Sequence, residues 1–237
     1  MITHKPFRFK QFFVDDSTCA MKVGTDGVIL GAWVNVSATA SILDIGTGCG
    51  LIALMVAQRS KASITAIDID EGAALQSTKN FRTSPWKERM ESFHTAIQQF
   101  HPDHLFDLLI SNPPFFRNAL KAPEQKRSIA RHNDTLSYES LLFAVDRLLD
   151  VNGSFAFILP VEEAYGVITM ASTYQLHLNR CCTVFSKEDK MANRIMAEIS
   201  RKESEVKKET LVIRDKDNQY TAQYKELTKD FYLFLTE

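Results

Sequence analysis

Apolar residues fall along this chain in short runs separated by stretches with helical spacing, the alternation that builds βαβ units around a largely parallel sheet. Ser41 to Ile45 reads as a buried strand. Leu51 to Arg59 follows as a helix whose apolar positions, Leu51, Ile52, Leu54, Met55 and Val56, are broad enough to cover a sheet. Ile64 to Ile67 is the next strand and Glu71 to Phe81 the next helix, while Phe106 to Ile110 is a strand that runs straight into Asn112-Pro113-Pro114-Phe115. Tyr138 to Leu149 is an amphipathic helix leading through Asn152-Gly153 into a strand, Ser154 to Leu159, which Pro160 ends. Glu162 to Tyr174, Cys181 to Phe185 and Met196 to Ile199 add a helix and two strands. The charge-dense stretch Lys202 to Lys208 reads as an exposed turn or loop, with apolar pattern returning at Thr210 to Ile213 and Phe231 to Leu235. Near the start, Asp26 or Thr25 is placed to cap a helix running to Val34. These elements predict an α/β fold with a mostly parallel sheet of seven strands flanked by helices.

Composition adds limits rather than detail. With 237 residues, 45% hydrophobic and 24% charged, the chain has the balance of a soluble protein with a sizeable core, and no Pro/Gly/Ser-rich linker divides it. One domain is expected over 1–237, with an N-terminal arm and covering segment to residue 36, a core of about 37–200 and a C-terminal decoration. No apolar run reaches the roughly 18 residues of a membrane span. Met1 to Phe13 alternates charges with aromatics instead of forming a leader, so a cytoplasmic protein is expected. Cys19, Cys49, Cys181 and Cys182 form no C-x-x-C pair, and His101 and His104 lie in a polar loop without partners for a metal, so no metal is expected. The net charge of −1 offers a polyanion no general attraction; contacts to nucleic acid would come from local patches, Lys5, Arg8 and Lys10, or Lys121, Lys126, Arg127, Arg131 and His132.

Chemistry enters at Leu43-Asp44-Ile45-Gly46-Thr47-Gly48-Cys49-Gly50, between a strand and a helix. Three alternate glycines clear side chains from the turn so that a ligand can approach the backbone. The third glycine of a dinucleotide fingerprint would fall one residue later, where Leu51 stands, which argues against a pyrophosphate ligand. Asp44 brings a charge to the loop mouth that suits an ammonium group. Asp68, in Ala66-Ile67-Asp68-Ile69-Asp70, ends the next strand, where a carboxylate accepts from a ribose diol; Asp70 lies further into the following loop. At this point the chain resembles the class I S-adenosylmethionine-dependent methyltransferases, which implies a Rossmann-like fold and S-adenosyl-L-methionine as cofactor. It departs from many of them after the third strand, where Phe93-His94-Thr95-Ala96-Ile97-Gln98 has no acidic residue for the cofactor's adenine, leaving backbone groups, Gln98 or apolar packing.

Asn112-Pro113-Pro114-Phe115 speaks about the substrate. An exocyclic amine such as adenine N6 is a poor nucleophile, because its lone pair is delocalised into the ring. If the Asn112 side-chain carbonyl and the Pro113 main-chain carbonyl both accept from it, the lone pair localises toward an incoming methyl. The prolines stiffen the corner and Phe115 can stack on an unstacked base, with Phe116 beside it or in the core. The corner resembles the N/D-P-P-Y/F motif of amino methyltransferases, which acts on adenine N6, guanine N2 or glutamine N5.

Met21-Lys22-Val23-Gly24-Thr25-Asp26-Gly27-Val28-Ile29-Leu30-Gly31-Ala32-Trp33, the Ser111 to Phe116 run, Leu211-Val212-Ile213-Arg214 and Phe231-Tyr232-Leu233-Phe234 resemble the bacterial tRNA-Val adenine-37 N6-methyltransferase family over nearly the full length. The resemblance implies a tRNA partner, no membrane, a monomer, and a segment from Lys22 to Gly27 closing over the cofactor. The cofactor-binding set it implies is Lys22, Thr25, Gly27, Asp44, Gly46, Gly48, Gly50, Asp68, Ile69 and Ala96. The catalytic set is Asn112, Pro113, Pro114 and Phe115. A release-factor glutamine N5-methyltransferase is the alternative, against which the chain shows no substrate-binding domain ahead of Lys22; a guanine N2 rRNA methyltransferase is another.

Overall fold

The computed structural model describes residues 5–19, 21–113 and 136–233. A sheet of eight strands carries the architecture: β3 (Ser41–Ile45), β4 (Ser63–Asp68), β5 (Met90–His94), β6 (Phe106–Ser111), β7 (Leu149–Leu159), β8 (His177–Lys187), β9 (Ala192–Ser200) and β10 (Lys207–Arg214). Their spatial order is β10-β8-β9-β7-β6-β3-β4-β5, and only β9 runs against the rest. A separate two-stranded ribbon pairs β1 (Phe7–Arg8) with β2 (Phe13–Val14).

Successive strand residues point to opposite faces, so adjacent apolar pairs feed two cores. Ile42, Leu108, Ala156 and Met196 join one cluster; Leu43, Leu109, Phe155 and Ala197 join the other. The first is covered by α1 (Thr25–Trp33), α2 (Leu51–Arg59), α3 (Glu71–Arg82), the aromatic arm with Phe9 and Phe12, and α6 (Ala222–Thr228). The second is covered by α4 (Tyr138–Leu148) and α5 (Val161–Ala171). Helices α1 and α2 pack so closely that a Cβ on Gly31 would sit 2.9 Å from the Met55 sulfur. Arg59 at the end of α2 donates to the Gly31 and Val34 carbonyls, placing a cation on the carbonyl end of α1. Among the described residues no helix is long and apolar enough to cross a membrane.

Three expectations need correction. The sheet has eight strands, not seven, because β10 begins at Lys207, inside the stretch expected to be a loose turn, and pairs in parallel with β8. Its charged outward residues suit an edge strand, which must not recruit another chain. β7 begins at Leu149, before Asn152-Gly153: against β6 it advances five residues, Leu149 to Ser154, where its partner advances two, so the expected turn is a bulge within a continuous strand. Neither Thr25 nor Asp26 caps α1; the N-cap position is Gly24, without a side-chain bond, and Asp26 turns outward to pair with Arg194 of β9 at 2.8 Å.

β3 has β4 on one side and β6 on the other, so the chain leaving β3 turns one way and the chain leaving β6 the other. At such a reversal of strand order the departing loops open a crevice beyond the carboxyl ends of the strands.

Candidate active site

Both motifs of the sequence converge on that crevice. Ser111, the last residue of β6, lies opposite Ile45, the last residue of β3, so Asn112 is set beside Gly46. The buried Ser111 hydroxyl donates to the Ile45 carbonyl at 2.9 Å and ties the two strand ends together. The Gly46 and Thr47 amides both donate to the Ile67 carbonyl, and the Gly48 amide donates to Asp68 Oδ2 at 2.8 Å, which bends the loop over the end of β4.

The three glycines serve different ends. Gly46 and Gly48 have φ of +71° and +57°, and a Cβ on either would meet nothing within 4 Å: they form an open, side-chain-free cradle. Gly50, at φ +82°, would drive a Cβ to 2.5 Å from the buried Phe81 ring, so it is required for packing the loop on α3 and does not face the cradle.

Two acceptors in the crevice are unsatisfied. Asp44 is fully buried; its Oδ2 accepts from the Thr47 hydroxyl at 2.6 Å while Oδ1 has no hydrogen-bond partner among the described residues. Burial pushes this carboxyl up to about 7, against the Thr47 hydrogen bond and the pull of the Ala53 backbone amide. Asn112 Oδ1 is likewise buried and without a partner among the described residues. Buried polar atoms are normally paired, so each has acceptor capacity that the described residues leave unused. Asp68 differs, because its two oxygens accept from the Gly48 and Asp70 amides while the residue stays partly exposed with lone pairs to spare. Asp70 caps α3 through the Ala73 amide at 2.7 Å.

Beyond Asp68, Ile69 leaves half its side chain in solvent, and the Thr95 amide donates to the Asp68 carbonyl, bringing Ala96 alongside. Gln98 faces a different cleft, lined by Glu139, Ser140 and Phe143 of α4. On the other flank the segment 15–19 is pinned to α3 by residues that carry no motif. The buried Asn80 amide donates to the Asp15 and Cys49 carbonyls, both at 2.8 Å, and Thr18 donates to Gln76. Gln76 and Asn80, polar residues four apart on the buried face of an amphipathic helix, are the signal that could have revealed this latch. Cys19 and Cys49, both buried free thiols, lie on either side of it.

Lys22 donates to the Asp16 and Ser17 carbonyls and Asp16 accepts from the Val23 amide, which fixes the approach to α1. Gly27 lies at the α1–α2 contact, 3.1 Å from Leu51 for an added Cβ, and Thr25 lines a cleft on the far side of α1. Pro113 is buried; Pro114, Phe115, Phe116 and the basic set from Lys121 to His132 lie outside the described residues. Of the other basic patch, Lys10 donates to the Lys229 carbonyl and Arg8 covers the Phe13 ring.

A family model described as the methyltransferase small domain matches residues 21–147. The tRNA1(Val) (adenine(37)-N6)-methyltransferase of Bacteroides thetaiotaomicron is 46% identical over 231 residues, which cover 97% of this chain and 98% of that protein. The chain belongs to this family. The protein of the same name from Tolumonas auensis is 41% identical over 229 residues, 96% of each chain. Among solved structures, a predicted O-methyltransferase from Agrobacterium tumefaciens shares the fold, with a TM-score of 0.67 at 16% identity over 87% of this chain and 96% of that one. As a member of the family the protein is a methyltransferase with S-adenosylmethionine as its cofactor. The residues present fit that group: an open glycine cradle, the orphaned Asp44 oxygen, the spare lone pairs of Asp68 and the half-exposed Ile69 match a cationic, hydroxylated and apolar ligand in turn.

Proposed function

We propose that this protein methylates N6 of adenine 37 in a valine tRNA, in the cytoplasm. When bound, S-adenosylmethionine supplies an electrophilic methyl group for direct displacement. Gly46 and Gly48 let it approach the backbone, Asp68 accepts from its ribose hydroxyls, and Asp44 faces its ammonium end. Ile69 and the neighbourhood of Ala96 give its adenine an apolar bed, in place of the acidic residue absent after β5.

Asn112 carries the reading. Its buried, unpartnered Oδ1 stands beside the glycine cradle, where it accepts a hydrogen bond from a planar amine. Together with the Pro113 carbonyl it localises the amine lone pair; neither carbonyl takes the proton, which leaves to water. The rigidity of Pro113-Pro114 keeps both acceptors aimed, and Phe115 stacks on the unstacked base. Positioning and fixed dipoles supply the catalysis, with no covalent enzyme intermediate.

The test is mass mapping of methylated nucleosides in tRNA from cells with and without the protein. Loss of N6-methyladenosine from the valine tRNA alone is expected, restored by wild-type protein; a full complement of the modification in its absence would sink the reading.

A further inference from the structure

A cleft of about 460 Å³ opens at the carboxyl edge of the far half of the sheet, between the first turn of α1 and the ends of β8 and β10. It is built from residues distant in sequence. Lys187 and Lys190 come from the β8–β9 hairpin, Arg194 from the start of β9 and Arg214 from the end of β10, against a single carboxylate, Asp26. In a chain of net charge −1 this is a local concentration of cation. The outward neighbours Glu188 and Asp189 do not line it.

Two of the cations are held in place. Arg194 donates to Asp26 and to the Asn193 carbonyl at 2.8 Å each, and the Arg214 guanidinium lies 4.0 Å over the Tyr220 ring while donating to the Asn218 carbonyl. A preorganised guanidinium loses little freedom when it meets a phosphate. Lys187 and Lys190 add mobile point charges, and α1, without a side-chain cap, turns its amide end to the same space.

The cleft shares its edge of the sheet with Asn112. From β6 to β8 is three strand spacings, about 15 Å, so a nucleic acid with one base turned into the Asn112 corner has its flanking backbone within reach. We propose that this cleft binds the phosphate backbone of the substrate tRNA next to the methylated base; the inference rests on the function proposed above and adds to it the surface that holds the RNA.

The test compares wild-type protein with Lys187→Gln/Lys190→Gln and, separately, Arg214→Gln, using an in vitro transcribed valine tRNA. Direct binding is measured across a salt series, with cofactor affinity and steady-state kinetics alongside. The double variant should bind tRNA roughly tenfold more weakly, with a salt slope shallower by about 1 to 2. KM for tRNA should rise while kcat at saturating tRNA and cofactor affinity stay unchanged; Arg214→Gln should shift affinity in the same direction. Wild-type methylation with tRNA affinity and salt slope unchanged in both variants overturns the cleft alone. Wild-type protein that neither binds nor methylates the tRNA overturns the proposed function and the cleft with it.

Discussion

At the end of β3, Asp44 is sealed from water with one oxygen unpartnered, and burial pushes its carboxyl up to about 7. In the edge strand β10, burial also draws Glu209 upward, yet hydrogen bonds from Arg180, Lys207 and Trp33 outweigh it and hold the carboxyl down to about 2. Glu209 takes both Arg180 contacts at 3.0 and 3.1 Å and the Trp33 indole N–H at 2.7 Å, while the Arg180 guanidinium lies 4.1 Å over the Trp33 ring. One carboxylate is satisfied within the fold and clamps β8 and β10 to α1. The other is left short by the fold. An acceptor left over beside the glycine cradle is available to a ligand, whereas Glu209, whose hydrogen-bond partners the fold supplies, holds the edge strand.

The sharpest way to break this contrast is Asn112→Ala. If the unpartnered Oδ1 exists for the substrate amine, methyl transfer should fall by about 10²- to 10³-fold, the scale of losing one preorganised polar contact to a reacting group. Cofactor affinity by calorimetry and melting temperature should stay near wild type. Retained turnover would show that the orphaned acceptor is incidental.

Asp68→Ala should weaken cofactor binding by about ten- to a hundredfold, the range for hydrogen bonds to a charged group. Because Asp68 also holds the Gly48 amide, Asp68→Asn separates its two tasks: one retained carbonyl can keep the loop bent while the paired acceptor is lost. Equal affinity in wild type and both variants would move the ribose role elsewhere.

For the satisfied half the expectation reverses. Glu209→Ala strands the Trp33 N–H and the Arg180 guanidinium and should cost about 1–2 kcal/mol of stability, or several degrees of melting temperature, with cofactor affinity unchanged. A carboxylate held low contributes stability that is present above its ordinary value near 4.5 and is lost as pH falls toward about 2, so the gap between wild type and variant should close in acid. Lost cofactor binding with an unshifted melt would erase the distinction between the two halves.

The two halves were also unequally legible in the sequence. At β3, β4 and β6 the strands are short and buried on both faces, so apolar runs with glycine and acid punctuation mark them well, while β5, an exposed edge strand, carries no such run; α2 falls at Leu51–Arg59 as the pattern predicts. On the far side the strands are long and half-exposed, and one lies at an edge, where charged residues are permitted and pattern fades: hence the late start expected for β7 and the missed start of β10. The glycine cradle and Asn112 could be read because their residues are contiguous. The basic cleft could not, since Arg214 meets Lys187 only through strand pairing. The latch of Gln76 and Asn80 hid inside an otherwise ordinary amphipathic helix.

The smallest effect tests the cost of the unsatisfied carboxyl itself. With its value raised to about 7 from an ordinary one near 4, Asp44 binds a proton more tightly in the folded protein than in the unfolded chain. Stability of the cofactor-free protein should therefore fall as pH rises from about 4 to about 7, then level off. Asp44→Asn removes the ionisation, so it should flatten that dependence and stabilise the cofactor-free protein at pH 8, measured by denaturant melts. A cationic ligand end facing Asp44 needs the ionised form, so wild-type affinity for cofactor should weaken below pH 7 with proton release on binding. Calorimetry in buffers of different ionisation enthalpy reads that release, and the variant should show weaker, less pH-dependent binding. Identical stability–pH curves for wild type and variant would mean that the fold satisfies Asp44 after all, and the contrast with Glu209 would then rest on Asn112 alone.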